Sequence, residues 1–225
     1  MKRGMAVVCA LGMLAVWSRT ADAAPITINI GGFSGGTGVL HAPGTVANGL
    51  NVRLGAVTIT GDLGTFESYC VDLQHFEIAG ANEVTVGLMS DWNNFASPAL
   101  PSLGGGAASW LYDQFAGGDQ AHQSALSLAI WNVLYDNDYT VTGGSGFWAT
   151  NLSNAQYATL ANGMLAGLAA NVTPLPNNLF LQTANTRTSY AQDFIGPRPV
   201  PEPASILLLG VGLAGLARRR ARLRA

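Results

Sequence analysis

Basic side chains are confined almost entirely to the two ends of this chain, and that partition dictates a molecule in three parts. Lys2, Arg3 and Arg19 stand at the start, and Arg218, Arg219, Arg220, Arg222 and Arg224 close the sequence. Between Pro25 and Gly196 only Arg53 and Arg187 face eleven acids: Asp62, Glu67, Asp72, Glu77, Glu83, Asp91, Asp113, Asp119, Asp136, Asp138 and Asp193. A middle segment of that charge repels phosphate backbones and anionic lipid, which excludes a nucleic-acid partner of the basic-patch kind. The formal net charge of −2 conceals this, because the basic ends offset most of the acidic middle. The chain has 225 residues, 48% of them hydrophobic and 11% charged, so the middle can bury a core. A disordered polyelectrolyte is excluded with it.

Both ends read as addresses. Lys2 and Arg3 precede an apolar run from Met5 to Trp17, and Ala21-Asp22-Ala23 supplies small residues at its exit. That is the layout of a secretory signal peptide over residues 1–23, cut after Ala23 or Ala24. Cys9 leaves with it, so the mature chain keeps Cys70 as its single cysteine and has no internal disulfide. At the other end Pro197, Pro199, Pro201 and Pro203 make residues 197–203 a stiff linker. Residues 204–217 are apolar and residues 218–225 form a basic tail. Fourteen residues make about 21 Å of helix against a hydrocarbon core of roughly 30 Å. A single transmembrane helix here is therefore short, and it relies on arginine snorkelling and local bilayer thinning. Arginines on the cytoplasmic side leave the acidic domain periplasmic or extracellular.

Val200-Pro201-Glu202-Pro203, a short glycine-containing apolar stretch and terminal arginines, in that order, resemble the PEP-CTERM sorting signal of Gram-negative bacteria that make extracellular polysaccharide. The resemblance implies three things. An exosortase-type processing enzyme is a partner, the C-terminal helix holds the protein in the inner membrane at least transiently, and the destination is the cell surface or extracellular matrix.

Residues 25–196 are expected to form one mixed domain of the α+β class: a β-rich first half, sandwich or barrel-like, and a helical subdomain. Strands are predicted over 26–30, 52–60, 66–73 and 84–88, with Gly31-Gly32, Gly35-Gly36 and Pro43-Gly44 as turns. Period two sets Tyr69, Val71 and Leu73 on a core face, and Phe66, Ser68, Cys70 and Asp72 on the other. After Gly104-Gly105-Gly106 the pattern becomes helical, over 107–115 and over 120–135 with Asp119 as N-cap. A third helix over 154–170 starts from Ser153, and short strands follow over 178–183 and 189–194.

Ser68-Tyr69-Cys70-Val71-Asp72-Leu73, followed some sixty residues on by Leu128-Ala129-Ile130-Trp131, resembles bacterial thioester domains. These are adhesion modules in which a cysteine thiol and a glutamine side chain form an internal thioester open to attack by a surface amine or hydroxyl. The resemblance puts the glutamine four residues before the tryptophan, and this chain has Ser127 there. Gln123 stands one helical turn earlier on the same face, so Cys70 and Gln123 are the candidate thioester pair, with Gln120 further off. A cysteine hydrolase is the rival chemistry, with Cys70 as nucleophile and His41, His75 or His122 as base. Asp136 and Asp138 are candidate calcium ligands, although Val141 and Phe147 at the sixth and twelfth positions exclude an EF-hand. No other cofactor is implied. The expectation is therefore an exported, non-catalytic surface or matrix protein whose partner is an exopolysaccharide or a surface protein. A covalent adhesin and a secreted hydrolase are the alternatives.

Overall fold

A computed structural model describes residues 26–75, 80–91, 104–136, 138–144, 146–170, 178–183 and 192–198. The strands are β1 (Ile26–Ser34), β2 (Thr37–His41), β3 (Asn51–Arg53), β4 (Ala56–Gly61), β5 (Gly64–Cys70), β6 (Gly80–Leu88), β7 (Trp148–Thr150), β8 (Leu179–Thr183) and β9 (Phe194–Gly196). The helices are α1 (Gly104–Phe115), α2 (Gln120–Tyr135) and α3 (Gln156–Ala169). Six strands close into a barrel in the order β1-β4-β5-β9-β8-β6, and β3-β2-β7 form a separate sheet. The β-rich half is thus the barrel of the two expected architectures.

The barrel grows from alternating β-branched residues. In β1, Ile28 and Ile30 are buried while Asn29 between them is exposed, and β4 repeats this with Val57, Thr58 and Ile59. Ile30 pairs with Ile59, and the register slips between Ile30 and Phe33, bending β1 away from a flat ladder. The single strand expected over 52–60 is two strands in different sheets. Gly55 divides them with φ of +117°, a backbone that favours glycine. Gly35 and Gly55 also lie so close that a Cβ on Gly35 would meet the Leu54 carbonyl, and one on Gly55 the Ser34 carbonyl.

α2 is the hub of the helical part. Every residue from Gln123 to Leu134 is buried, as expected of a helix covered on all sides, and it packs on both α1 and α3. Asp119 caps it as predicted, its carboxylate accepting from the His122 N–H at 2.9 Å. α1 begins earlier than predicted, at Gly104. Those glycines belong to the helix because a Cβ on Gly104 or Gly105 would strike the backbone of Val133 or Met89. Ser153 does not start α3. Its hydroxyl accepts from the Thr37 N–H at 3.0 Å, tying α3 to β2, and Asn154 accepts from the Gln156 N–H at 2.9 Å instead.

β8 matches its expected range closely, whereas the strand expected over 189–194 falls partly outside the described residues, and β9 begins at Phe194. Among the described residues no helix is long and apolar enough to cross a membrane. The predicted signal peptide, the helix over 204–217 and the basic tail lie outside the described residues.

Candidate functional site

β5 ends at Cys70, and the residues around that end form a polar group beside a cavity. Cys70 pairs with Phe194 of β9, which holds this end of β5 inside the barrel wall. The expectation of one core face, with Cys70 on the opposite one, is corrected here. Ser68, Tyr69, Cys70, Val71, Asp72 and Leu73 are all buried, because the segment is covered on both faces. Trp131 of α2 donates from Nε1 to the Cys70 carbonyl at 2.8 Å and stands edge-on to Phe147. The thiol itself, 2% exposed, donates to the Asp72 carbonyl at 3.2 Å. Burial pushes its pKa well up, and the neighbouring Asp72 charge pushes it further. A nucleophilic cysteine needs the reverse.

Beyond Cys70 lies a carboxylate pair. Asp72 is hydrogen-bonded to His75 Nδ1 and accepts from the Gln74 N–H at 2.7 Å. Gln192 donates from Nε2 to the same Asp72 carbonyl that the thiol uses, at 2.8 Å. Asp193 accepts from the Thr183 N–H at 3.0 Å. Burial, then the Asp72 charge, raises its pKa to about 7. A cavity of about 270 Å³ opens beside this group, with Cys70, Leu73, His75, Trp131 and Gln192 among its walls. The segment from Ala42 to Leu50 is clamped to the site by the Ala47 N–H on the Leu73 carbonyl at 3.3 Å and by Gln74 Nε2 on the Gly44 carbonyl at 3.1 Å.

The candidate thioester partners do not meet. Gln123, 5% exposed, accepts from Ser34 and donates to Glu67 at 3.1 Å and to the Gly118 carbonyl at 3.3 Å. It stands eight residues from Trp131 on α2, about 12 Å along the helix from the residue that caps Cys70. Ser127, between them, donates to the Gly55 carbonyl at 3.1 Å and accepts its N–H at 2.8 Å, so it fastens the β3–β4 turn. The glutamine that the fold brings to Cys70 is Gln192. Sequence reasoning passed over it because it lies beyond the quoted motifs, in a stretch read only as strand.

The hydrolase arrangement is not present either. Among the described residues no histidine is hydrogen-bonded to the thiol. His41 stacks on Trp148 with centroids 4.8 Å apart and bonds Thr150, while His122 bonds Asp119. His75 shares the cavity with Cys70 but is paired with Asp72. The candidate calcium ligands Asp136 and Asp138 between them serve backbone and side-chain donors of this chain. Asp136 accepts from the Phe147 N–H at 2.9 Å, and Asp138 from Asn132 and the Thr140 N–H, both at 3.0 Å. These carboxylates shape the turn after α2. Among the described residues no three His, Cys, Asp or Glu side chains gather as a metal site.

The chain leaves the barrel through β9, and Arg198 is ion-paired with Asp113 of α1 just beyond it. The residues after Arg198 decide the address. Residues 199–221 match the PEP-CTERM protein-sorting motif. The PEP-CTERM motif implies processing by an exosortase-type enzyme, and an exported protein that is membrane-associated before it is sorted. Among curated proteins none matches the sequence. Among solved structures, the chain is similar to the N-terminal thioester domain of fibronectin-binding protein SfbI from Streptococcus pyogenes. The identity is 13%, the alignment covers 77% of this chain and 98% of that one, and the TM-score is 0.43.

Proposed function

We propose that this is an exosortase-sorted surface or matrix protein whose barrel-and-helix domain has a non-catalytic binding or structural role. The observation that carries the reading is the PEP-CTERM motif at 199–221, standing directly after the strand that closes the barrel. The buried, protonated state of the Cys70 thiol supports the absence of turnover chemistry, since its nearest polar partner is a carbonyl and not a base. Exopolysaccharide or another surface protein is the partner this reading expects, with the domain on the periplasmic or extracellular side. In a host that makes an exosortase, a C-terminal epitope tag on the full chain should be lost and the remainder should leave the inner membrane. The triple change Pro201→Ala, Glu202→Ala and Pro203→Ala should keep the tag and hold the protein in the membrane. Tag loss that ignores the triple change would sink the sorting assignment.

A second reading is covalent adhesion through an internal thioester. The residues proposed from the sequence, Cys70 and Gln123, are kept apart by the bonds of Gln123 to Ser34, Glu67 and Gly118. One observation favours a different pairing: the Cys70 thiol and the Gln192 carboxamide both bond the Asp72 carbonyl. In that chemistry the sulfur attacks the Gln192 carboxamide carbon and ammonia leaves with the thiol proton. Intact mass with a thiol titration decides between the readings. The first reading expects full mass and one titratable thiol after unfolding. A mass short by one ammonia, restored as an adduct by methylamine and abolished by Gln192→Glu, would establish the second.

A further inference from the structure

The cavity beside Cys70 combines an apolar interior with a cation at its rim. Phe33, Ala47, Leu73 and Trp131 supply apolar walls, and the exposed Leu50 and Arg53 bring the cavity to the surface. Its volume of about 270 Å³ lies just below the usual span of ligand pockets, roughly 300 to 1,000 Å³, so it suits a small ligand. No carboxylate is among the lining residues.

Arg53 is the unusual member. It and Arg187 are the only bases that face eleven acids between Pro25 and Gly196. The other described arginine, Arg198, is paired with Asp113, whereas Arg53 has no carboxylate partner among the described residues. A lone arginine in an acidic domain would ordinarily find an acid. Here β3 holds it at the rim, with its backbone paired to Thr37. A guanidinium presents a planar fork of donors that matches a carboxylate. Asn51 on the same strand and Gln192 across the cavity add further hydrogen-bonding groups.

We infer that the cavity binds a small organic carboxylate with an apolar body, the body against Trp131 and Phe33 and the carboxylate on Arg53. This deepens the reading of the domain as a non-catalytic binding module and rests on it. The surrounding acids make the site selective, because an anion is favoured only where the fork compensates the repulsion of the domain.

The test uses the full chain in lipid nanodiscs, with empty nanodiscs as blank, and 3-phenylpropanoate as probe. Ligand-observed NMR reads binding and the chemical integrity of the probe together. The carboxylate should bind saturably, and 3-phenylpropan-1-ol and 3-phenylpropan-1-amine at least tenfold more weakly. Arg53→Met should weaken the carboxylate at least tenfold, and Arg53→Lys less. Arg53 is exposed, so neither change threatens the fold, and unchanged circular dichroism would verify that. Absence of saturable binding, equal binding of the alcohol, or preference for the amine would each overturn the assignment, with C-terminal processing unaffected. Consumption of the probe would instead overturn the non-catalytic reading beneath it.

Discussion

Replacing Trp131 by alanine is expected to cost about 3–5 kcal/mol of stability, the range for removing a large buried aromatic. The side chain is 3% exposed, it packs edge-on to Phe147, and its indole N–H satisfies the buried Cys70 carbonyl. Truncation would enlarge the existing cavity and leave that carbonyl without its donor, and the two costs add. A domain of ordinary stability holds only about 5–15 kcal/mol, so the variant sits near the edge of folding at 37 °C. Trp131→Phe separates the two contributions, since it retains most of the ring and loses the hydrogen bond, at about 1–3 kcal/mol. Urea denaturation of the three proteins measures this. A cost below 1 kcal/mol for the alanine variant would mean that Trp131 does not hold α2 onto the barrel.

Stability should also fall as pH rises through the window from about 4 to 7. Asp193 has its pKa raised to about 7 in the fold, from an ordinary value of 3.8, by burial and then by the Asp72 charge. Between those two values the folded chain holds a proton that the unfolded chain has released. Acid therefore favours the fold, and the penalty is complete above pH 7. Its size is about 2–4 kcal/mol, because this carboxyl is only partly shielded and Thr183 donates to its ionised form. Asp72 and His75 also face this carboxyl, so the informative quantity is a difference between variants. Asp193→Asn keeps an acceptor for the Thr183 N–H and removes the charge. Its stability advantage over the parent should be largest at pH 8, shrink through pH 5 and vanish below about pH 4. Equal pH profiles for the two proteins would remove Asp193 as the source.

How much of this was legible in the sequence depended on whether the signal was local. β1 and α2 were legible because alternation in Ile26–Ile30 and the cap at Asp119 are local patterns. The division of 52–60 was not, since Gly55 reads there as a tolerated glycine until Ser127 and Ser34 approach it from elsewhere. β2 and β7 were missed for a related reason: each is short, and they exist by pairing with each other across more than a hundred residues. At the site, the motifs carrying Cys70 and Trp131 stood out in the sequence, and the fold brings these two residues together. Gln192, Asp193 and Arg53 were not, because strand closure brings them to Cys70 and no spacing encodes it. Gln123 was chosen for lying one turn from the expected position, but Glu67 and Ser34 claim its carboxamide.

The barrel closes on β9, whose last residue is Gly196, and the sorting motif begins at residue 199. Val200 is four residues from the barrel wall, a reach of at most about 14 Å even at full extension. A membrane enzyme that acts on this motif must therefore work in the shadow of a folded body, with no slack in which to draw its substrate away. Unravelling β9 to gain length would open the wall between β5 and β8. The face of the domain around Arg198 and α1 is thus the one nearest the motif along the chain. Its shape, as much as the motif, sets which enzymes can reach the chain.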